Sequence, residues 1–588
     1  MLKFVLPLIC LIVLPLSGKH RILMNRIGPS EADLFIANAD GTDERKLLTA
    51  PGFDYNASFS ADGKWIVFTS ERNGSPDIYR VRVDGSGLER LTDDPADDDQ
   101  ASFSPDGRRV AFTSTRGSGF KDIWVLDLAT RKSRNLTDAP GGDYRPTWSP
   151  DGKWIVFSSD RDTKLQRASG RWEQLHPVSL YIIQPDGKGL RRLTPAGKFA
   201  GSPKWSPDGK RVVFYEMSLE DTWFARSGSP DKVVSQIISL DVATGARTEQ
   251  TSGPGLKVSP QFLAADRIGY LIKAGSHAGL AFTSGEPGAA GDMRNPSWSP
   301  DGKRAVYTKF SASRRPQNQP LFSNDPEFDL VYSEIFPAFS RDGKSLVVSD
   351  RKGMGGFNES AIEVMNPDGT NRKRIFYEKG SMAFSPEWSP NGEWILFGAG
   401  SFFLPRNRPA RVMMVRADGS ETRELTKGPV NSGFPSWSHD GKRVVYRVWG
   451  EQEHGLRIMN MDDGSVTKLS DDYDNFPVWS PAGDLIAFTS FRNDDFDVFT
   501  IRPDGTGLKQ LTTAPGNDGH CVWSPDGKYL LFSSSRFGFK DEAPLYDRIP
   551  QPYGELFVMK ADGSGQKPLT DNGWEDATPA WQPEGQEK

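Results

Sequence analysis

The sequence predicts an all-β protein built from repeated copies of one four-stranded unit. Three observations lead to this prediction. The stretch "WSPDGKWIVFSSDRD", which begins at Trp148, recurs in near-copies along the chain. Within each copy apolar and polar residues alternate between turn motifs, as they do in half-buried strands. The 588 residues include 59 Gly and 43 Pro, and 11% of them are aromatic, which is typical of short strands joined by tight turns.

Each unit contains four predicted strands in a fixed order. A short apolar piece such as "PTWS" is the first strand, and "SPDG" is a turn in which Pro presets φ and Gly takes the strained position. The β-branched stretch "KWIVFSS" is the second strand. "DIYRVRVDG" is a third strand that ends at another Asp-Gly turn, and "LERLT" is the fourth. Four antiparallel strands per repeat, with no helical periodicity in the chain, predict the blade of a β-propeller.

An aromatic residue before the "S-P-D-G" turn anchors each unit. The spacing between anchors runs from 36 residues (Phe262 to Trp298) to 58 residues (Trp523 to Trp581), a period typical of propellers and solenoids. The twelve anchors are Phe59, Phe103, Trp148, Trp205, Phe262, Trp298, Phe339, Trp388, Trp437, Trp479, Trp523 and Trp581. We expect them to pack in the core.

Twelve units exceed the usual four to eight blades of one ring, so we expect tandem β-propellers with two six-bladed rings. The predicted domains are residues 20–300 and 301–588. In this arrangement the first strand at Trp298 completes the partial blade at the N-terminus, "HRILMNR…DLFIANADGTDERKLL". Trp581 closes a blade with "KRAVYTKF" and "FDLVYSE". The alternative is one ring closed by both chain termini, with the other ring inserted into it.

Units such as "FSADGKWIVFTSERNGSPDIYRVRVDGSGLERLT" resemble the WD40-like repeats of the TolB family of periplasmic propeller proteins. The resemblance covers nearly all of the chain from His20 onward. It implies an interaction scaffold in the cell envelope that docks partners at propeller faces and channel mouths. The same repeat also occurs in propeller domains of certain serine peptidases and in some polysaccharide lyases.

The N-terminus predicts export. One Lys precedes an apolar run over residues 4–16, and the small residues Ser17 and Gly18 follow, so residues 1–19 are predicted to be a signal peptide. The mature chain would then be periplasmic or secreted, without a membrane span and with Cys521 as its one cysteine. A net charge of −5 with no basic tract argues against a nucleic-acid partner.

The long insertions all lie in loops between the second and third strands, which share one face of a propeller. Insertions concentrated on one face predict the binding face of a repeat protein. Five aromatic residues of these loops are candidate contact residues: Trp172, Trp223, Phe402, Phe403 and Tyr553.

A recurrent Asp five residues before the aromatic anchor is predicted to lie at the channel mouths, on that same face. The six are Asp54, Asp98 and Asp143 in the first half, and Asp474, Asp518 and Asp576 in the second. They are candidate ligand-binding residues because crowded carboxylates attract cations, basic peptides or sugar hydroxyls. Arg145 and His520 are further candidates, because polysaccharide lyases of this fold would need His, Arg or Tyr over a channel. The alternative is that each Asp stabilises its own turn. No cofactor is expected, and Ca²⁺ at these Asp-rich mouths is the one metal left open.

The sequence argues for a structural brace between the second and third strands and against catalysis. Recurrent "S-x-R…D-I-Y" pairs, such as Arg72 with Asp77, are predicted to be ion pairs of the fold.

No "G-x-S-x-G" elbow, hydrolase-sized region, or HExxH motif occurs, so whether the protein is an enzyme stays open, with the balance against it. We therefore expect an exported scaffold that binds a protein or peptide. The alternative is a carbohydrate-active enzyme or sugar-binding module that uses the same face, with an oligosaccharide as ligand.

Overall fold

The computed structural model describes residues 19–50, 52–162, 166–167, 174–226, 230–311, 315–350, 359–401, 409–493, 495–546 and 554–583. These residues confirm the predicted class, because four-stranded antiparallel sheets dominate and helices are rare. Of the predicted signal segment only Lys19 is described. Within the described ranges, no helix has the length and apolar character needed to cross a membrane.

A first set of six sheets is listed here from the innermost strand of each sheet outward. The sheets are β4 (Asp54–Phe59), β5 (Trp65–Ser70), β6 (Asp77–Arg82), β7 (Glu89–Arg90); β8 (Asp98–Phe103), β9 (Arg109–Ser114), β10 (Asp122–Asp127), β11 (Ser133–Asn135); β12 (Asp143–Trp148), β13 (Ile155–Ser159), β16 (Ser179–Ile183), β17 (Arg191–Arg192); β18 (Phe199–Trp205), β19 (Arg211–Met217), β20 (Ser235–Asp241), β21 (Arg247–Glu249); β22 (Lys257–Ala264), β23 (Arg267–Ile272), β24 (Gly279–Phe282); and β25 (Arg294–Trp298), β26 (Arg304–Ser311), β2 (Glu31–Asn38), β3 (Arg45–Lys46).

The second set also has six sheets, given in the same order. They are β29 (Ile335–Phe339), β30 (Leu346–Asp350), β31 (Ala361–Met365), β32 (Lys373–Phe376); β33 (Met382–Trp388), β34 (Trp394–Gly400), β35 (Arg411–Arg416), β36 (Thr422–Glu424); β37 (Asn431–Trp437), β38 (Arg443–Trp449), β39 (His454–Asn460), β40 (Val466–Lys468); β41 (Asp474–Trp479), β42 (Ile486–Ser490), β43 (Asp497–Ile501), β44 (Lys509–Gln510); β45 (Asp518–Trp523), β46 (Tyr529–Ser534), β47 (Glu555–Lys560), β48 (Lys567–Pro568); and β49 (Glu575–Trp581), β1 (His20–Ile27), β28 (Phe328–Tyr332), β27 (Pro320–Leu321).

The packing of innermost strands runs in a cycle in both sets. In the first set the contacts follow β4, β8, β12, β18, β22 and β25 and return to β4. The second set follows β29, β33, β37, β41, β45 and β49 and returns to β29. We propose on this ground that each set closes as a six-bladed ring, and we call them the first ring and the second ring.

Two strands are exchanged relative to the sequence prediction. The N-terminal strand β1 pairs with β49 and β28, whereas β26, "RAVYTKFS", pairs with β25 and β2. The expected boundary near residue 300 therefore does not follow the strand pairing, which matches the alternative in which both termini close one ring. The reason is local: β25 and β26 form a hairpin over the "SPDG" turn, and closing so short a loop costs little entropy.

The same exchange explains an unusual pairing. The strands β1 and β28 are parallel, while the other strand pairs are antiparallel. The chain leaves β26 at the loop face of the first ring and enters the second ring directly in its outermost strand, β27. The hairpin that follows therefore runs in the reverse direction to the outer strands of the other blades.

Two further features differ from the predicted pattern. The unit that begins at Phe262 has three strands, because it is the shortest unit and its "SGEPGAAGD" stretch lacks residues that favour strands. Helices are present as well. The insertion after β19 forms helix α1 (Leu219–Arg226), and short 3₁₀ helices cover Pro230–Lys232 and Ala543–Leu545.

The core lies between neighbouring blades. Successive residues of the second strand point to opposite sides, so Ile66 and Phe68 pack on one neighbouring blade and Val67 on the other. Burying each such side chain stabilises the fold by about 1.5–3 kcal/mol. The "S-x-D-G" turn is held by Ser60, whose hydroxyl donates to Asp62 and accepts from the Trp65 backbone N–H.

Candidate functional site

Each of the twelve innermost strands carries a residue with left-handed backbone, three positions before the aromatic anchor. The register with the second strand shifts at the same place, which marks a β-bulge. In the first ring these residues are Asn56, Gln100, Arg145, Ser202, Ser259 and Asn295, and in the second ring Phe336, Ser385, Phe434, Phe476, His520 and Thr578. Each group of six lines one cavity. We call the cavity in the first ring the first channel and the cavity in the second ring the second channel.

The two channels differ in chemistry although their backbones match. The first channel is polar, and its cavity of about 50 Å³ has two charged lining residues, Arg145 and Lys204. Burial, assisted by the charge of Arg145, lowers the pKa of Lys204 to about 8. The second channel encloses about 150 Å³ and is lined by three Phe residues and His520. The first channel therefore favours an anionic ligand.

His520 is packed among aromatic rings. Its ring lies 4.1 Å from that of Phe476 and 6.2 Å from that of Phe336, centroid to centroid. Burial lowers the pKa of His520 to about 4, so the imidazole is neutral at pH 7. Burial also raises the pKa of Glu387, which lines the same cavity, to about 8. The second channel thus presents neutral groups at neutral pH.

The six predicted Asp residues are buried ion-pair partners. Each pairs with an Arg of its own blade, which follows the second strand in five blades and lies near the end of the second strand, β1, in the sixth. The pairs are Asp54–Arg72, Asp98–Arg116, Asp143–Arg161, Asp474–Arg492, Asp518–Arg536 and Asp576–Arg26. The Asp side chains are at most 2% exposed. This geometry favours the structural alternative, a brace between the first two strands, and a ligand role remains a prediction.

The predicted partner of Arg72 was wrong. The guanidinium of Arg72 lies 2.7 Å from Asp54, and Asp77 pairs instead with Arg90 at 2.6 Å. The reason is the register of the β4–β5 hairpin, which places Asp54 opposite Ser70 and within reach of an Arg two residues later.

The second ring extends a segment into the first channel. We call Lys540–Tyr546 the docked segment; it belongs to the insertion that follows β46. Three neighbouring blades contact three consecutive residues: Gln100 Nε2 donates to the Lys540 carbonyl at 3.2 Å, and Arg145 Nε donates to Asp541 at 2.9 Å. Ser202 on the next blade binds Glu542.

Glu542 of the docked segment is fully enclosed. Its side chain has no exposed surface and accepts hydrogen bonds from the Ser202 backbone N–H at 2.6 Å and the Ser202 hydroxyl at 2.8 Å. The hydroxyls of Ser158 and Tyr215 donate at 2.7 and 2.9 Å. Burial raises the pKa of Tyr215 well above its ordinary value, so its hydroxyl keeps the proton that it donates. This cradle is complementary to a carboxylate.

The C-terminal part of the docked segment follows the same rim. Lys273 donates from Nζ to the carbonyls of Pro544 at 2.9 Å and Tyr546 at 2.6 Å. Just before the segment, Phe539 stacks on His176 at 4.0 Å and accepts a hydrogen bond from Tyr144. The segment is therefore held from both ends by first-ring side chains.

A cavity of about 710 Å³ lies beside the docked segment, between the loop faces of the two rings; we call it the inter-ring cavity. Its aromatic lining combines Tyr55 and Phe310 of the first ring with Tyr546 and Trp574 of the second. Charged residues contribute as well, among them Asp292, which is 74% exposed. Asn56 and Asn295 line both this cavity and the first channel, so the two spaces adjoin.

Other predicted residues lie away from this site or outside the described ranges. Trp172, Phe402, Phe403 and Tyr553 lie outside the described residues. Trp223 lies on α1, with the Arg226 guanidinium 5.1 Å from its ring centre. Among the described residues no group of three or more His, Cys, Asp or Glu side chains is placed to hold a metal ion.

Sequence reasoning missed the cradle residues Ser158, Ser202 and Tyr215. They occupy framework positions of the repeat, where nothing in the sequence distinguishes them from strand residues of other blades. The docked segment did carry a signal, because "FGFKDEAPLY" belongs to one of the insertions on the predicted binding face. Arg145 lines the first channel, while its predicted ligand-binding role stays a prediction, and its partner Asp541 could not be foreseen.

Comparison with known proteins places this fold in a family. The chain is 31% identical over 149 residues to the protein TolB homolog of Chlorobium luteolum, which is 25% of this chain and 34% of that protein. It is 35% identical over 279 residues to an uncharacterized protein of Agrobacterium fabrum, covering 40% of this chain and 92% of that one.

The solved structure of a putative TolB from Agrobacterium tumefaciens aligns with a TM-score of 0.34 and 20% identity, over 42% of this chain and 90% of that one. The family model described as the TolB beta propeller domain matches residues 18–101, 97–227 and 403–542. These matches cover more than half of the chain, which therefore belongs to the TolB beta propeller domain family.

Proposed function

We propose that the protein is an exported scaffold of the cell envelope that binds a protein or peptide at the inter-ring cavity. The observation that carries the proposal is this cavity of about 710 Å³, which is within the size range of ligand sites and combines aromatic with charged lining. Membership of the TolB propeller family supports a scaffold role, and the apolar run over residues 4–16 supports export.

The lining of the cavity suits a peptide. Trp574 packs edge-to-face against Tyr55 and Phe310, with ring centres 5.9 and 6.0 Å apart, and its indole N–H donates to Glu71 at 2.9 Å. Amphipathic rings held rigidly in this way supply contact area at low entropic cost.

The test is affinity capture from cell-envelope extract with an Ala278→Trp variant. Ala278 lines the cavity, and the larger side chain would fill part of it. The matched control is Ala243→Trp at an exposed turn of the same ring. We expect wild type and control to retain the same protein, identified by mass spectrometry, and Ala278→Trp to lose it. Equal capture by all three would contradict the proposal. Failure of all three to capture a protein, with an oligosaccharide bound by the wild type and lost by Ala278→Trp, would favour the sugar-binding alternative.

A further inference from the structure

The docked segment is bound as a separate peptide ligand would be. Residues 540, 541 and 542 are contacted in order by Gln100, Arg145 and Ser202, which occupy the same position in three successive blades. An ordinary loop packing on a propeller face needs no such register. The match between consecutive peptide residues and consecutive blades indicates that residues 540–542 are recognised one by one.

We propose that the first channel is a binding site for an acidic peptide segment of a partner protein, and that this chain occupies the site in cis with its own Asp541 and Glu542. The partner would present two consecutive carboxylates and would displace the docked segment when it binds. This inference deepens the proposed function, because it names the chemistry of the partner.

The charge of the channel supports an acidic ligand. The charged residues that line it, Arg145 and Lys204, are both cationic. The Asp541 carboxylate forms an ion pair with Arg145, and both side chains are about 15% exposed. The Glu542 carboxylate lies 3.8 Å from the same guanidinium. Two carboxylates are thus the counter-charge that this channel selects.

The energetics favour a contact that can be exchanged. Burying a charge is unfavourable, and an ion pair with good hydrogen bonds roughly offsets that cost, so such a pair adds specificity more than stability. The two carboxylates of the docked segment are both largely buried and lie close to the Arg145 guanidinium. An external segment with the same carboxylates would regain the same hydrogen bonds, so these contacts themselves do not oppose the exchange.

The first ring also leaves space for this ligand. A Cβ atom at Gly201 would lie 2.6 Å from Glu542 Oε2 and 2.7 Å from its Cδ, closer than real Cβ contacts. The backbone at Gly201 has no left-handed φ that would itself require glycine. The same Cβ atom would lie 2.8 Å from Cζ of Tyr215, so the close approach of the carboxylate and of the Tyr215 ring together accounts for the glycine.

The experiment uses the full chain and a fluorescently labelled peptide with the sequence of residues 537–546, FGFKDEAPLY. A second peptide, FGFKNQAPLY, replaces both carboxylates by amides and is the matched control. The protein variant Asp541→Asn/Glu542→Gln weakens the cis contact. A tethered segment competes at an effective concentration of roughly millimolar, so the wild type should bind the acidic peptide weakly. We expect the variant to bind it with at least tenfold higher apparent affinity and to bind the amide peptide poorly.

A folded variant that binds neither peptide, or both equally, would overturn the inference. If the variant does not fold, hydrogen exchange in the wild type decides. Millimolar acidic peptide should then accelerate hydrogen exchange of the Leu545 backbone N–H, which donates to the backbone carbonyl of Glu542 within the docked segment. The amide peptide should not accelerate it. No acceleration by the acidic peptide would equally overturn the inference. The scaffold proposal is tested separately. If the wild type captures a protein and Ala278→Trp loses it, that proposal stands even where the peptide experiment fails.

Discussion

Arg26 and Asp576 form a buried ion pair, with Nε 2.7 Å from Oδ1, although 550 residues separate them in the chain. In the other braced blades the Arg follows the Asp by 18 residues within one unit. Here the N-terminal strand β1 supplies the Arg, so the two ends of the chain rebuild the same brace. Ile22, Leu23 and Met24 of this strand are fully buried.

We expect Arg26→Met to destabilise the second ring by about 3–5 kcal/mol, because it leaves the Asp576 carboxylate buried without its cation. The variant Arg26→Met/Asp576→Asn should recover part of this loss. Urea unfolding of the two variants and of Asp576→Asn measures the coupling. Additive effects would show that the pair does not brace the blade.

Asp474 offers a test of the structural role of the six Asp residues. Its carboxylate is fully buried and receives two hydrogen bonds from Arg492, at 2.7 and 2.9 Å. We expect Asp474→Asn to lower the unfolding free energy by roughly 1–3 kcal/mol while capture per folded molecule is unchanged. Thermal unfolding and capture on the same samples separate the two effects. Lost capture at unchanged stability would restore a ligand role.

Glu387 predicts a pH dependence of stability. Burial raises its pKa from 4.5 to about 8, so the folded protein holds a proton that the unfolded chain has released. The contribution of Glu387 to the free energy of unfolding is therefore fully present below about pH 4.5, and it is lost as the pH rises through 8. Glu387→Gln keeps the acceptor for the Trp437 N–H and removes the titration.

We expect the melting temperature of Glu387→Gln to exceed that of the wild type by several degrees at pH 8 and to approach it at pH 5. Scanning calorimetry at both pH values measures the difference. A constant difference across this range would show that Glu387 does not titrate as its burial implies.

Gly201 tests the docking geometry without changing a charge. Gly201→Ala places a methyl group against the Glu542 carboxylate and the Tyr215 ring, and we expect the amides of residues 542, 543, 545 and 546 to exchange with solvent at least tenfold faster. Gly519→Ala is the matched control, because Gly519 has the same register in the second ring and its Cβ would meet Thr489 at 3.2 Å. Hydrogen exchange read by mass spectrometry distinguishes them. Similar exchange in both variants would argue that Glu542 does not need the space at Gly201.

The blades were predictable because their signals are local. The "SPDG" turn, the alternating second strand and the aromatic anchor lie within about fifteen residues, and local hairpins follow from them. Which strand completes each split blade was not predictable. The strands "HRILMNR" and "KRAVYTKF" have similar apolar patterns, and the choice depends on a hairpin at Trp298 and on contacts between distant parts of the chain.

The candidate site was predictable only in part. The binding face was predicted from the position of the insertions, and Arg145 was a candidate because polysaccharide lyases with the same repeat would need such a residue. The pairing of Asp541 with Arg145 depends on how one ring faces the other, and no spacing along the chain encodes that orientation. The Asp residues five positions before the anchors recur in the sequence because each forms an ion pair that braces its own blade.

The most direct test of the proposed binding at the first ring is site-specific photocrosslinking. A benzophenone amino acid in place of Ala278 lies in the inter-ring cavity, and the same group in place of Ala243 is the control on an exposed turn. After irradiation in envelope extract, we predict a covalent adduct with one other protein at position 278 and none at position 243. Peptide mapping should locate the adduct beside an acidic segment of that protein. Absence of any adduct at position 278, or the same adducts at both positions, would contradict a binding site in this cavity.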